Sequence, residues 1–204
     1  MKKKVIIIGV LIIFLIFLSL YFDSEIIKVI SFIRNNWINK FFLGIKFISS
    51  EVIIFFLVTI LFLWKKNKRE WILPLWFTIG LSAVISFLLK VIVQRQRPFQ
   101  LGIISLLPNL EKASYSIWNF SFPSSHAFLA FAVLPFLSKE YPKLKYIWII
   151  FACLIALSRV YLGLHFLSDV LVGGTMGYLL GLTIINIEEE KHFFKQIYKK
   201  IFRK

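Results

Sequence analysis

Residues 5–22 read VIIIGVLIIFLIFLSLYF, without one charged side chain. A helix rises about 1.5 Å per residue, so this run nearly crosses a hydrocarbon core about 30 Å thick, and it is apolar on every face. The rest of the chain has the same character. Of its 204 residues 59% are hydrophobic, 23 are Phe, and the mean hydropathy is +0.80. A soluble globule of this length has too little interior to hide so much apolar surface. Further runs occur at 47–64, 71–89 and 166–186, with shorter ones at 127–137 and 146–157. The expectation is an all-α, polytopic membrane helical bundle with six transmembrane helices, one domain from 1 to 204 without internal repeat or flexible linker. Each short run is bounded on one side by a polar motif, so those motif ends are expected to sink into the membrane inside the bundle.

Lys2, Lys3 and Lys4 ahead of the first run resemble the start of a secretory signal, but Ser19-Leu20-Tyr21-Phe22 offers no small-x-small cleavage site, and a retained helix is expected. The single cysteine, Cys153, excludes an intramolecular disulfide and reads as a small core residue.

Basic residues set the orientation. With the N-terminus inside, 16 of the 25 Lys and Arg fall at 2–4, 65–69, 139–145 and 191–204. Both termini are therefore expected to be cytoplasmic in a multi-pass protein of the cell membrane. The net charge of +15 then reports topology and attraction to anionic lipid, and needs no nucleic-acid partner. Helix parity places three polar clusters on the outer face: Lys90 with Arg97-Pro98, Pro123-Ser124-Ser125-His126, and Ser158-Arg159 with His165 and Asp169. Two stretches look interfacial: Ile26, Ile27, Ile30, Ile33 and Trp37, and a stripe of Phe193, Phe194, Ile197, Tyr198, Ile201 and Phe202. His192 adjoins the second and receives no catalytic role. Residues 99–122 are expected to cap the outer end of the bundle.

Each cluster alone has an ordinary reading. Lys90 and Arg97 stand two helical turns apart and face one way if the helix runs on to Arg97, but snorkelling cations at helix ends are common. Ser residues before a helix suit an N-cap, and the free N–H groups of a first turn bind anions. His165 and Asp169, spaced i, i+4, share a helical face, where a carboxylate can take the Nδ1 proton and leave Nε2 as nucleophile or base. On one face together they carry surplus positive charge, which suits phosphoryl oxygens and repels a metal cation. No metal and no cofactor are expected.

Lys90 with six residues before Arg97-Pro98, then Pro-Ser-Ser-His at 123–126, then Ser158-Arg159 with His165 and Asp169, resembles the three-part signature of the type 2 phosphatidic-acid phosphatases. Their superfamily includes vanadium haloperoxidases and bacterial acid phosphatases. The match covers 90–169. It implies that His165 attacks phosphorus to form a phosphohistidine, that Asp169 orients it, and that His126 protonates the leaving oxygen and later activates water. Lys90, Arg97, Arg159, Ser124 and the backbone at Ser125 would hold the phosphoryl oxygens. The usual pattern has Gly where this chain has Ser125; a positive φ there would cost Ser about 1 kcal/mol or more. The implied substrate is a lipid phosphate or diphosphate monoester presented from the outer leaflet of the bilayer. Undecaprenyl diphosphate leads, ahead of phosphatidylglycerophosphate or phosphatidate. An anionic-lipid transporter is disfavoured because the polar residues are confined to one face, and vanadium-dependent oxidation because a membrane setting suits lipid esters better than halide.

The orientation is testable. After Cys153→Ser, a cysteine introduced at Asn109 should react with an impermeant thiol reagent in intact cells, and one at Asn67 only after lysis; the reverse pattern rejects the assignment.

Overall fold

The structure, a computed structural model, describes residues 2–107, 110 and 119–202, and among these every regular element is helical. The α-helices are α1 (Lys2–Ile33), α2 (Asn36–Ile48), α3 (Glu51–Trp64), α4 (Ile72–Val93), α5 (Ser125–Glu140), α6 (Lys145–Tyr161), α7 (Leu167–Lys191) and α8 (Phe193–Phe202), with 3-10 turns at Lys66–Trp71 and Pro142–Leu144. Lys112 and Trp118, in the expected cap, lie outside the described residues.

Among the described residues, four helical stretches are long and apolar enough to cross a membrane: Ile6–Ile33, Lys66–Val93, Pro142–Tyr161 and Leu167–Lys191. The pair Asn36–Ile48 and Glu51–Trp64, bent by 59°, makes a fifth if it counts as one span. Six spans were expected, and the remaining one, α5, differs for a physical reason. It has 16 residues, about 24 Å at the helical rise, and it packs against α4, α6 and α7. Ten of its residues, Ala127 to Phe136 through Leu137 except Phe131, are buried. A helix sheathed by other helices need not match the bilayer's thickness. The outer helices do the opposite, exposing Phe17, Phe32, Trp64, Phe87 and Ile92 where lipid would solvate them.

Two sequence expectations need correction. Residues 26–33 form no separate surface helix: α1 runs unbroken to Ile33, Ile27 is fully buried, and Asp23 is only 3% exposed. Polar contacts of Asp23 hold the C-terminal half of α1 against the bundle, so Ile26, Ile27 and Ile30 mark a core face, while Ile33 and Trp37 are exposed. Cys153 is exposed, on an outward face of α6, and is no core residue. The C-terminal stripe does form a helix. The Glu188 carboxylate accepts the Phe194 and Lys195 N–H groups at 2.9 and 2.8 Å, satisfying donors at its start.

The tightest contact is between α5 and α7. A Cβ on Gly173, Gly177 or Gly181 would lie 2.7, 2.1 or 2.3 Å from the carbonyl oxygens of Ser124, Phe128 and Ala132. One face of α7 thus presents bare backbone at every fourth position, the small-residue device by which membrane helices approach closely. On α4 the buried Thr78, Ser82 and Ser86 descend at the same spacing toward Lys90. Gly177→Val should therefore lower the thermal stability of the detergent-solubilised protein by about 1–3 kcal/mol and reduce activity with it. Unchanged melting would show that α7 is not seated in this way.

Candidate active site

Four helix ends and the loops between them meet at one end of the bundle. The end of α4 brings Lys90, the start of α5 brings Ser125 and His126, the end of α6 brings Arg159, and the turn before α7 brings His165. With Arg97 these residues line one cavity of about 540 Å³.

The local folding explains the aim of each group. Gln94 adopts a left-handed conformation at φ 50° and stops α4 after Val93. Arg97 therefore stands in a loop and not two turns along the helix from Lys90. It reaches the same cavity because its Nε donates to the Asn119 carbonyl at 3.0 Å and its Nη1 to the Leu164 carbonyl at 2.8 Å. Lys90 Nζ donates to the carbonyls of Phe120 and Pro123 at 3.0 and 2.8 Å, leaving a third donor for a ligand. Arg159, 2% exposed, gives one Nη2 bond to Ser49 Oγ at 2.5 Å, while its buried Nε has no partner among the described residues. Gly163, at φ +73°, turns the chain after α6 where a Cβ would strike Ile104 at 2.5 Å. That turn delivers His165.

His165 is 3% exposed and precedes α7 instead of sharing its face with Asp169. Its Nδ1 lies 2.7 Å from the Ser121 carbonyl oxygen, which can only accept, so Nδ1 carries the proton. Nε2 lies 3.2 Å from Arg97 Nη1, a donor, and therefore presents its lone pair. Asp169 Oδ2 is 3.8 Å from Nδ1, beyond hydrogen-bond reach. The direct His–Asp bond expected from the spacing is replaced by a bridge through Ser121, whose hydroxyl donates to Asp169 Oδ2 at 2.5 Å. Asp169 also accepts the Phe166 N–H at 2.9 Å. Burial first, then the Arg97 charge, pull the His165 imidazole down to about 3. It is a neutral base through the neutral and mildly acid range, and becomes protonated only as pH falls through that value.

Ser124 is the N-cap of α5, as expected, but its side chain makes no cap hydrogen bond. Its hydroxyl is fully buried without a partner among the described residues and lies off the cavity wall. Its N–H donates to the Asp169 carbonyl at 3.1 Å, tying α5 to α7. Ser125 begins α5 and has no positive φ, so replacing the family's Gly brings no backbone strain. Its hydroxyl pairs with Ser86 Oγ at 2.8 Å. His126 Nδ1 stands 3.8 Å from Glu51 Oε1.

Sequence reasoning missed the opposite wall: Lys46, Phe47, Ser50, Glu51 and Ile53, from the bend between α2 and α3. Lys46 had counted only as a basic residue. Among the described residues no cluster of three His, Cys, Asp or Glu side chains is suited to a metal ion.

A family model described as PAP2 superfamily matches residues 71–193. The phosphatidylglycerophosphatase B of Bacillus subtilis is 31% identical over 189 residues, 85% of this chain and 87% of that protein. The undecaprenyl-diphosphatase of Sulfolobus acidocaldarius is 26% identical over 176 residues, 82% of this chain and 79% of its own. The crystal structure of a transmembrane PAP2-type phosphatidylglycerolphosphate phosphatase from Bacillus subtilis shares the fold, with a TM-score of 0.64 at 24% identity over 89% of this chain and 96% of that one. An all-helical membrane bundle with these relatives is a membrane lipid phosphatase, a hydrolase of phosphate esters. The chain belongs to the PAP2 superfamily.

Ser125 offers a clean probe. Proline is tolerated at a helix's first position and deletes the N–H together with the hydroxyl that meets Ser86, a loss that Ser125→Gly shares, so Ser125→Pro should insert normally yet lose about tenfold or more in vanadate affinity, which one charge-assisted hydrogen bond can supply. Ser125→Gly should keep turnover within a few-fold. Vanadate binding by Ser125→Pro as tight as the unaltered protein's would mean that this N–H does not face the anion.

Proposed function

We propose that this protein dephosphorylates a membrane lipid at the outer face of the bilayer through a phosphohistidine at His165, without a metal. The observation that carries the reading is the cavity itself, whose wall holds four basic side chains, Lys46, Lys90, Arg97 and Arg159, together with His165, whose unprotonated Nε2 lies 3.2 Å from Arg97 Nη1. In the first step Nε2 attacks phosphorus, the P–N bond forms as the lipid P–O bond breaks, and His126 gives the leaving oxygen its proton. In the second, His126 takes a proton from water, the hydroxide displaces Nε2, and inorganic phosphate leaves. The cations neutralise the charge that builds on the phosphoryl oxygens, already oriented before the reaction begins. Ser125 supplies a backbone donor, and Ser124 acts by holding α5 to Asp169.

The substrate's second charge supports a choice among lipids. Lys90, Arg97 and Arg159 suffice for one phosphoryl group, and Lys46 adds a further cation on the opposite wall. A cation there, beside Glu51 on the same wall, gives a second phosphoryl group somewhere to bind and suits a lipid with two, as in phosphatidylglycerophosphate or undecaprenyl diphosphate, over phosphatidate. Greater identity to the phosphatidylglycerophosphatase puts phosphatidylglycerophosphate first, reversing the order the sequence alone suggested. The 16 basic residues counted inside, of 25, support an outward-facing cavity and cytoplasmic termini.

Phosphate release from the purified protein over these three lipids, with EDTA present, should be fastest for phosphatidylglycerophosphate and strongly inhibited by vanadate. Activity lost to EDTA and restored by zinc or magnesium would overturn the mechanism. His165→Ala should abolish phosphoenzyme formation, whereas Asp169→Asn should leave a slow residual rate, the imidazole being misoriented but present.

A further inference from the structure

Behind the cavity a second group of charges meets, and none of the roles above uses its Arg95. Arg95 lies just beyond the left-handed Gln94 and does not line the cavity. Its Nη1 donates to Asp169 Oδ1 and to Ser168 Oγ, each at 2.7 Å, and its Nη2 to Asp23 Oδ2 at 2.8 Å. The guanidinium sits over the Phe166 ring, 4.1 Å from the centroid. The Arg95 carbonyl accepts the Ser121 N–H at 2.7 Å. Asp23, from α1, also accepts the Ser168 N–H at 3.1 Å and the Ser168 hydroxyl. Asp23, Ser168 and Asp169 are all buried.

Three of these contacts, those with Asp169, Ser121 and Phe166, lead to His165. Phe166 is its chain neighbour. Ser121 offers the carbonyl that receives its Nδ1 proton, and the Ser121 hydroxyl is held by Asp169. Arg95 thus grips, through its backbone, the residue that accepts from the imidazole and, through its side chain, the carboxylate that fixes that residue. A buried carboxylate pair sharing one guanidinium is costly unless fully hydrogen-bonded, and a flat fork that spans both is a function lysine performs less well. An acid inside an apolar span is itself a sign of function, and Asp23 stands on a helix that the family model, starting at residue 71, does not include.

We propose that Arg95, clamped by Asp23 of the N-terminal helix, is a positioning residue of the phosphoryl transfer: it holds Asp169 and Ser121 where they keep Nε2 of His165 aimed into the cavity. This rests on the nucleophile assigned above. Two rival roles make different demands. A phosphate ligand would change substrate and vanadate affinity, and a mere staple between α1 and the bundle would change melting temperature with no effect on turnover per folded molecule.

The test uses the full chain in detergent with radiolabelled phosphatidylglycerophosphate, phosphoenzyme being trapped by alkaline quench because phosphohistidine is acid-labile. Arg95→Gln should slow phosphoenzyme formation and kcat by about tenfold or more, the direction set by loss of an imidazole's orienting group, with KM and vanadate inhibition nearly unchanged. Arg95→Lys should restore part of kcat. Asp23→Asn should lower kcat less, and adding it to Arg95→Gln should cost nothing further, because the two act as one unit. Unaltered kcat in Arg95→Gln, or lost vanadate affinity with kcat retained, overturns the proposal. If Arg95→Gln fails to fold, the isosteric Asp23→Asn decides it: kcat equal to that of the unaltered protein overturns it, and lowered kcat at constant KM sustains it. Absence of any phosphoenzyme in the unaltered protein would overturn the His165 assignment instead.

Discussion

The approach of α7 to α5 sets the position of nearly everything else. With glycine at 173, 177 and 181 the two backbones come close enough that the Asp169 carbonyl receives the Ser124 N–H at 3.1 Å. The start of α5, where Ser125 and His126 face the cavity, is thereby fixed relative to the start of α7, where Asp169 sits. In a bilayer no hydrophobic force drives helices together, because lipid tails are as apolar as Leu; close packing and direct hydrogen bonds must do so. Here the same contact that assembles the bundle also sets the distance between His126 and Asp169.

The cavity stores electrostatic cost. Burial pulls even Arg97, in the loop after α4, down to about 10, because a charge without water is unstable. Its geometry shows how that cost is met. Carbonyl oxygens of Asn119 and Leu164 hold Arg97, and those of Phe120 and Pro123 hold Lys90. These dipoles orient the cations without neutralising them, whereas a carboxylate would cancel the charge a phosphoryl group is to meet. Two carboxylates, Asp23 and Asp169, are kept behind the wall on Arg95, while Glu51 lines the cavity with its Oε1 3.8 Å from His126 Nδ1.

Much of this was legible in the sequence, and the part that was not has a common cause. Apolar runs gave the helical membrane class, and the spacings around Lys90, His126 and His165 singled out residues that the fold does gather into one cavity. The helix count was harder to read, since α5 is as apolar as a lipid-facing span but is enclosed by protein. Asp23 drew no reading from the sequence; only the tertiary fold shows it meeting Arg95, 72 residues away. Likewise the i, i+4 spacing of His165 and Asp169 promised a direct contact, and a turn starting the helix at Leu167 instead interposed Ser121. Local periodicity carried the helices and failed wherever a contact depended on loops from elsewhere in the chain.

The bend between α2 and α3 lies wholly outside the segment, 71–193, that the family model matches, yet it supplies five of the residues lining the cavity. Part of the cavity wall is thus encoded outside the stretch by which the family is recognised. Two chains that match the family model equally well can therefore present different walls to whatever enters the cavity, since Lys46 and Glu51 come from residues that the match does not read.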